Sequence, residues 1–171
     1  MSADLKATER FWVILIGAAV TVAGGLLGGI CGAGAQGVSL VMYIFIDPSK
    51  LAECMGDLEL AYVAGAICGA VAGIAWTGLF TNALLQLRRR SGKLPSVPLA
   101  AGNAAVHSGM AGLLYLLLFL AWSLHRGTAM GVFTVFFLVF SSALQWLMIG
   151  LIGGAALRLA LRRPAPDTRV D

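Results

Sequence analysis

Four stretches of this chain run without a single Asp, Glu, Lys or Arg: Phe11 to about Gly32, Leu60 to Leu87, Leu99 to Leu124, and Ala129 to Leu157. Crossing the hydrocarbon layer of a bilayer as a helix takes about 20 mostly apolar residues. All four stretches meet that length. Inside lipid a backbone N–H or C=O finds no water, so a crossing segment must satisfy its own hydrogen bonds as a helix or join a closed barrel. The expected fold is therefore an all-α integral membrane protein, a four-transmembrane-helix bundle. Composition agrees, with 59% hydrophobic and 12% charged residues against roughly 45–50% and 25% in soluble domains. Mean hydropathy is +0.88. The polar ends 1–10 and 164–171 flank one transmembrane domain, residues 11–163.

The basic residues between the spans orient the chain. Lys6, Arg10, Arg88, Arg89, Arg90, Lys93, Arg158, Arg162, Arg163 and Arg169 fall on one side, and only Lys50 and Arg126 on the other. By the positive-inside rule both termini and the middle loop are cytoplasmic, and a bacterial inner membrane is the expected setting. The net charge of +4 thus speaks to orientation and not to nucleic acid, since no soluble domain presents it. Arg88, Arg89, Arg90 and Lys93 are expected to attract anionic headgroups, at about 1 kcal/mol each near the surface. Ala33-x-Ala35 after the first span has the look of a signal cleavage site. The apolar stretch before it exceeds the 7–15 residues of a signal core, which favours a retained span.

Small residues recur at helical spacing. Ala61, Gly65, Gly69, Gly73 and Thr77 draw one smooth stripe on the second span, and Gly24, Gly28 and Gly32 draw another on the first. Lipid is as apolar as leucine, so membrane helices associate through close backbone approach, which such stripes permit. The first two spans are expected to pack as a close pair. Gly150 and Gly154 mark a further contact near the end of the fourth span. The short connection around His125 and Arg126 makes the third and fourth spans an antiparallel hairpin.

Two segments are harder to place. Val38–Ile46 is too short to span and too apolar for a comfortable loop. It is expected as a short outer-face segment after helix 1, either a helical extension past a Gly hinge, an interfacial piece or a re-entrant one, ended by Pro48. The outer loop Asp47–Glu59 holds half of the acidic residues. Asp47 or Asp57 there suits a helix N-cap; the alternative is an acidic collar for cations or a basic partner.

Chemistry-bearing residues are few. No ionisable carboxylate or amine lies deep in a span, where ion and proton carriers place one. That excludes a rotor-ring type of proton translocation. Asn82, Asn103, His107 and Gln145 all fall toward the basic ends of their spans. They are read either as fasteners between helices or as a polar vestibule for a substrate. His107 and His125 sit at opposite ends of one span and cannot clasp one haem within a chain. Cys31 and Cys54 are candidates for a disulfide on the oxidising side, and Cys68 for a small packing residue. Four-helix quinone-linked disulfide-forming enzymes have similar length and topology, but they need paired redox cysteines, and no C-x-x-C occurs here. With no zinc spacing, nucleophile triad or phosphate loop in the sequence, no cofactor is expected. The expected function is a non-enzymatic structural or accessory subunit of a larger membrane complex, with other subunits or a second copy as partner. The alternative is a small oligomeric channel or transporter.

Overall fold

The computed structural model describes residues 7–46, 49, 51–92, 95–127 and 131–162. Lys93, Asp47 and the tail 164–171, all of which figure in the sequence reading, lie outside the described residues, as do residues 1–6. Four helices follow in order: α1 (Ala7–Ile46), α2 (Leu51–Ser91), α3 (Val97–His125) and α4 (Val132–Arg162). All four are long and apolar enough to cross a membrane. They form an up-and-down bundle in which α1 packs on α2 and α4, and α3 closes the square by packing on the same two helices.

Two boundaries lie further out than the expected spans. Of the three readings of Val38–Ile46 the helical extension is the one found, and no separate outer-face segment stands there: these residues are the last part of α1. The glycines before it do not interrupt the helix, which runs from Ala7 to Ile46. Ala35 and Leu40 are buried, so α1 still has a packing partner well beyond Gly32. Likewise α2 begins at Leu51, and most of the expected acidic loop is helix. Asp57 therefore lies inside a helix and caps nothing. Leu, Ala, Glu and Met, which open α2, all favour helix.

At the α3–α4 connection, on the same end of the bundle, Gly127 turns the chain out of α3 at φ 70°. Its N–H donates to Leu124 O at 3.1 Å. The α1–α2 pair outreaches the α3–α4 pair here. Phe119, which meets Gly32, is six residues from the end of α3, whereas α1 continues for fourteen residues. At 1.5 Å per residue the overhang is about 12 Å.

The glycines of α1 sit where the backbone of α2 and aromatic rings of α3 and α4 converge. A Cβ added to Gly24 would lie 2.7 Å from Gly69 O and 3.2 Å from the Trp146 ring. At Gly28 the same test meets Gly65 O at 2.5 Å and the Tyr115 ring at 3.2 Å. At Gly32 it meets Ala61 O at 2.5 Å and the Phe119 ring at 2.8 Å. The contacts are reciprocal: Gly65 abuts Gly28 O, and Gly69 abuts Gly24 O. Gly73 continues the seam against the backbone of Thr21. Carbonyl oxygens facing glycine Cα–H groups at this range make weak hydrogen bonds that recur at close helix crossings. The core beyond is aromatic, with Trp76, Phe80, Tyr115, Phe119 and Trp146 almost wholly buried.

The basic end is closed by an ion pair. Arg88 donates to Glu9 at 2.9 Å, with the Glu9 side chain only 9% exposed. Arg158 Nε donates to Pro95 O at 3.0 Å, tying α4 to the start of α3.

The seam predicts a contrast between glycines. Gly28→Ala pushes against the backbone of α2, which cannot rotate away, and should destabilise the fold by at least the 1–3 kcal/mol typical of overpacking. A Cβ added at Gly102 would meet nothing within 4 Å, so Gly102→Ala should be neutral or stabilising by up to about 1 kcal/mol. Reversible unfolding in mixed micelles checks both, and equal effects would contradict the seam.

Candidate functional site

The polar residues singled out from the sequence do not assemble into one layer. Asn82 faces outward from α2. Asn103 and His107 bond within their own helix: Asn103 Nδ2 donates to Leu99 O at 3.3 Å, and His107 Nδ1 lies 2.7 Å from Asn103 O. With a carbonyl as partner, that Nδ1 must carry the proton. The His107 ring packs edge-on against Phe80, centroids 5.8 Å apart. Gln145 lies elsewhere. Ser108, next to His107, seats against Gly150, and Gln145 is five residues along α4 from there, about 7.5 Å.

Two hydrogen-bonded groups stand where the single layer was expected. In the first, Gln145 Nε2 donates to Gly24 O at 3.4 Å while its Oε1 accepts from the Cys31 thiol at 3.0 Å. One turn away, Tyr115 OH donates to Gly28 O at 2.9 Å. The same glycines that admit α2 thus offer bare carbonyls to α3 and α4. Both carbonyls stay inside the helix ladder and accept a second bond, which an acceptor with two lone pairs allows.

In the second group, Trp76 Nε1 donates to Ser108 Oγ at 3.1 Å, and Ser108 in turn donates to Ala104 O at 2.7 Å. Gly150 makes room for that hydroxyl, and Gly154 for Ala104 and the Phe80 ring. Cys31 is a free thiol, and the Cys54 side chain, its expected disulfide partner, lies outside the described residues. Cys68 is buried in the core. Thr81 Oγ1 and Trp146 Nε1 are buried without a partner among the described residues.

Sequence reasoning missed Tyr115, Trp76, Ser108 and Trp146. The signal available for them was depth: each large ring stands opposite a glycine at matching height. What this arrangement does chemically is hold helices together. Apart from Trp146 Nε1, its donors go to backbone carbonyls and to one another, and among the described residues no three His, Cys, Asp or Glu side chains come close enough to hold a metal.

Two grooves open between helices of the bundle. A groove of about 450 Å³ between α3 and α4 is lined by Ala105, Ser108, Gly109, Gly112, Ser142 and Ala143 among others. A second of similar size runs between α1 and α4, past Ala19, Ala23, Gly153 and Ala156. Compared with protein-family profiles, with curated proteins and with solved structures, the chain matches none of them.

The two hydrogen-bonded groups make unequal demands. Ser108→Ala leaves the buried Trp76 N–H unpaired and should cost about 1–3 kcal/mol. His107→Leu breaks only a bond within its own helix and should change stability by less than about 1 kcal/mol. Unfolding in mixed micelles measures both, and a larger loss for His107→Leu would reverse the assignment.

Proposed function

We propose that this chain is a structural subunit of a membrane-protein assembly, set in a bacterial inner membrane with both termini on the cytoplasmic side. The observation that carries this reading is the outward face of α3. A Cβ added to Gly102 or Gly109 there would meet nothing within 4 Å outside its own helix turn, and Ala105 and Gly109 line the α3–α4 groove. An exposed helical glycine costs roughly 1 kcal/mol relative to alanine and contributes nothing to this bundle. It becomes useful when the backbone of another helix approaches.

The charge bias supports the orientation, since Arg88, Arg89, Arg90 and Arg158 share one end with Arg10. Anionic headgroups fit best at Arg90, which faces outward, whereas Arg88 is paired with Glu9. The channel or transporter reading draws less support: Gln145 is spent on Gly24 and Cys31, and large side chains fill the middle of the bundle.

Purification in mild detergent tests the reading. The wild-type chain should retain a stoichiometric partner subunit, and Gly109→Leu, a change the isolated bundle has room for, should lose it while remaining folded. Reconstituted alone in liposomes, the chain should leave ion and solute permeability at the background level. A partner that persists through Gly109→Leu and Gly102→Leu, or solute flux through the purified chain, would overturn it.

A further inference from the structure

The outward face of α2 combines two features that the bundle does not use. The first is a run of stiff apolar side chains. Val63, Ile67, Val71 and Ile74 follow one another at spacings of four, four and three residues, and all point away from the core. Ile67 is 61% exposed and Ile74 63%. Side chains branched at Cβ are nearly fixed in a helix, so they lose little freedom when another helix packs on them. The same face continues through Gly78, where an added Cβ would meet nothing within 4 Å.

The second feature is an amide. One turn past Gly78 stands Asn82, outward-facing, with no hydrogen bond among the described residues, and Gln86 follows one turn later in the same condition. Asn82 lies eight residues before Arg90, about 12 Å along the axis, within the stretch of α2 apolar enough to span. A Gln one turn below the arginines reaches the headgroups with its longer side chain. The short side chain of Asn82 does not. An amide left unpaired in hydrocarbon costs several kcal/mol, so this face calls for a hydrogen-bonding partner at that depth.

We infer that this partner is a second copy of the same chain, packed α2 against α2 about a twofold axis parallel to the bilayer normal, with Asn82 of each copy bonded to Asn82 of the other. The argument for a copy is chemical. A carboxamide carries both a donor and an acceptor, and a twofold contact brings the same residue of each subunit together at equal depth. Each Asn82 amide N–H then faces the other's carbonyl oxygen, and no foreign side chain has to match the position. Gly78 lets the backbones close in next to that bond, and Ile67, Val71 and Ile74 extend the contact along a coiled-coil-like spacing. A single polar residue in such a seam fixes register. Arg89 and Arg90 of the two copies meet only in the headgroup layer, where salt and anionic lipid screen them.

This contact uses a face of α2 separate from the α3 groove and stands whether or not other subunits bind there. Sedimentation equilibrium of the full-length chain in neutral-detergent micelles tests it. The wild type should show a reversible monomer–dimer equilibrium. Asn82→Leu should weaken dimerisation about five- to thirtyfold, the range for a polar contact between membrane helices. Asn82→Gln keeps the amide and should keep the dimer. Gly78→Leu should abolish it, although the monomer has room for the side chain. Gly109→Leu, on the α3 face, should dimerise like the wild type. A wild type that stays monomeric over the accessible concentrations, a dimer indifferent to Gly78→Leu and Asn82→Leu, or one lost in Gly109→Leu would overturn the inference.

Discussion

The contact that the rest of this bundle depends on is between two backbones. Where α1 and α2 cross, Gly24, Gly28 and Gly32 face Gly69, Gly65 and Ala61 closely enough that carbonyl oxygens touch α-carbons. In water such an approach would be secondary to burying apolar side chains. In lipid no hydrophobic force draws helices together, and van der Waals contact with weak Cα–H···O bonds takes its place. The close crossing also leaves the glycine carbonyls of α1 bare at its edge. Tyr115 and Gln145 reach the same oxygens that abut α2, each bonding a glycine carbonyl that a larger side chain would cover. One run of glycines therefore positions all three other helices.

Large residues complete what the glycines begin. Trp146, Tyr115 and Phe119 each fill the space above one glycine of α1, and Ser108 fills the space at Gly150. The pairing of the smallest residue with the largest recurs at successive heights and gives the core a register. The hydrogen bonds are of moderate individual strength, about 0.6 kcal/mol on average for polar contacts between membrane helices. Their role is to select one rotation of each helix out of several that pack nearly as well. The Glu9–Arg88 ion pair and the Arg158–Pro95 bond do the same at the basic end.

Much of the architecture was legible in the sequence, for physical reasons. Lipid forces long uncharged stretches to be helices, so the number of spans can be read directly. The four-residue spacing of Gly24, Gly28 and Gly32, and of Gly65, Gly69 and Gly73, marks faces whose partner only the folded chain reveals. The extent of α1 was not legible, because a run such as Gly32–Gly37 reads as a hinge until burial of Ala35 and Leu40 shows what holds it. The acidic start of α2 misled for a similar reason: charge suggests a loop but does not forbid a helix that projects beyond its neighbours. The polar residues were harder still. Distance from the basic end put Asn82, Asn103, His107 and Gln145 at a common depth, yet depth says nothing of rotation, and rotation sends Asn82 outward and Gln145 inward. Tyr115 and Trp76 carried no polar signal of their own.

The central claim is that the backbones of α1 and α2 touch. Solid-state NMR of the chain in lipid bilayers, with glycine labelled at the carbonyl carbon and the α-carbon, tests it most directly. The account predicts through-space cross-peaks between the Gly28 carbonyl and the Gly65 α-carbon, and between the Gly24 carbonyl and the Gly69 α-carbon. Sequential glycine peaks without either of these two would contradict it.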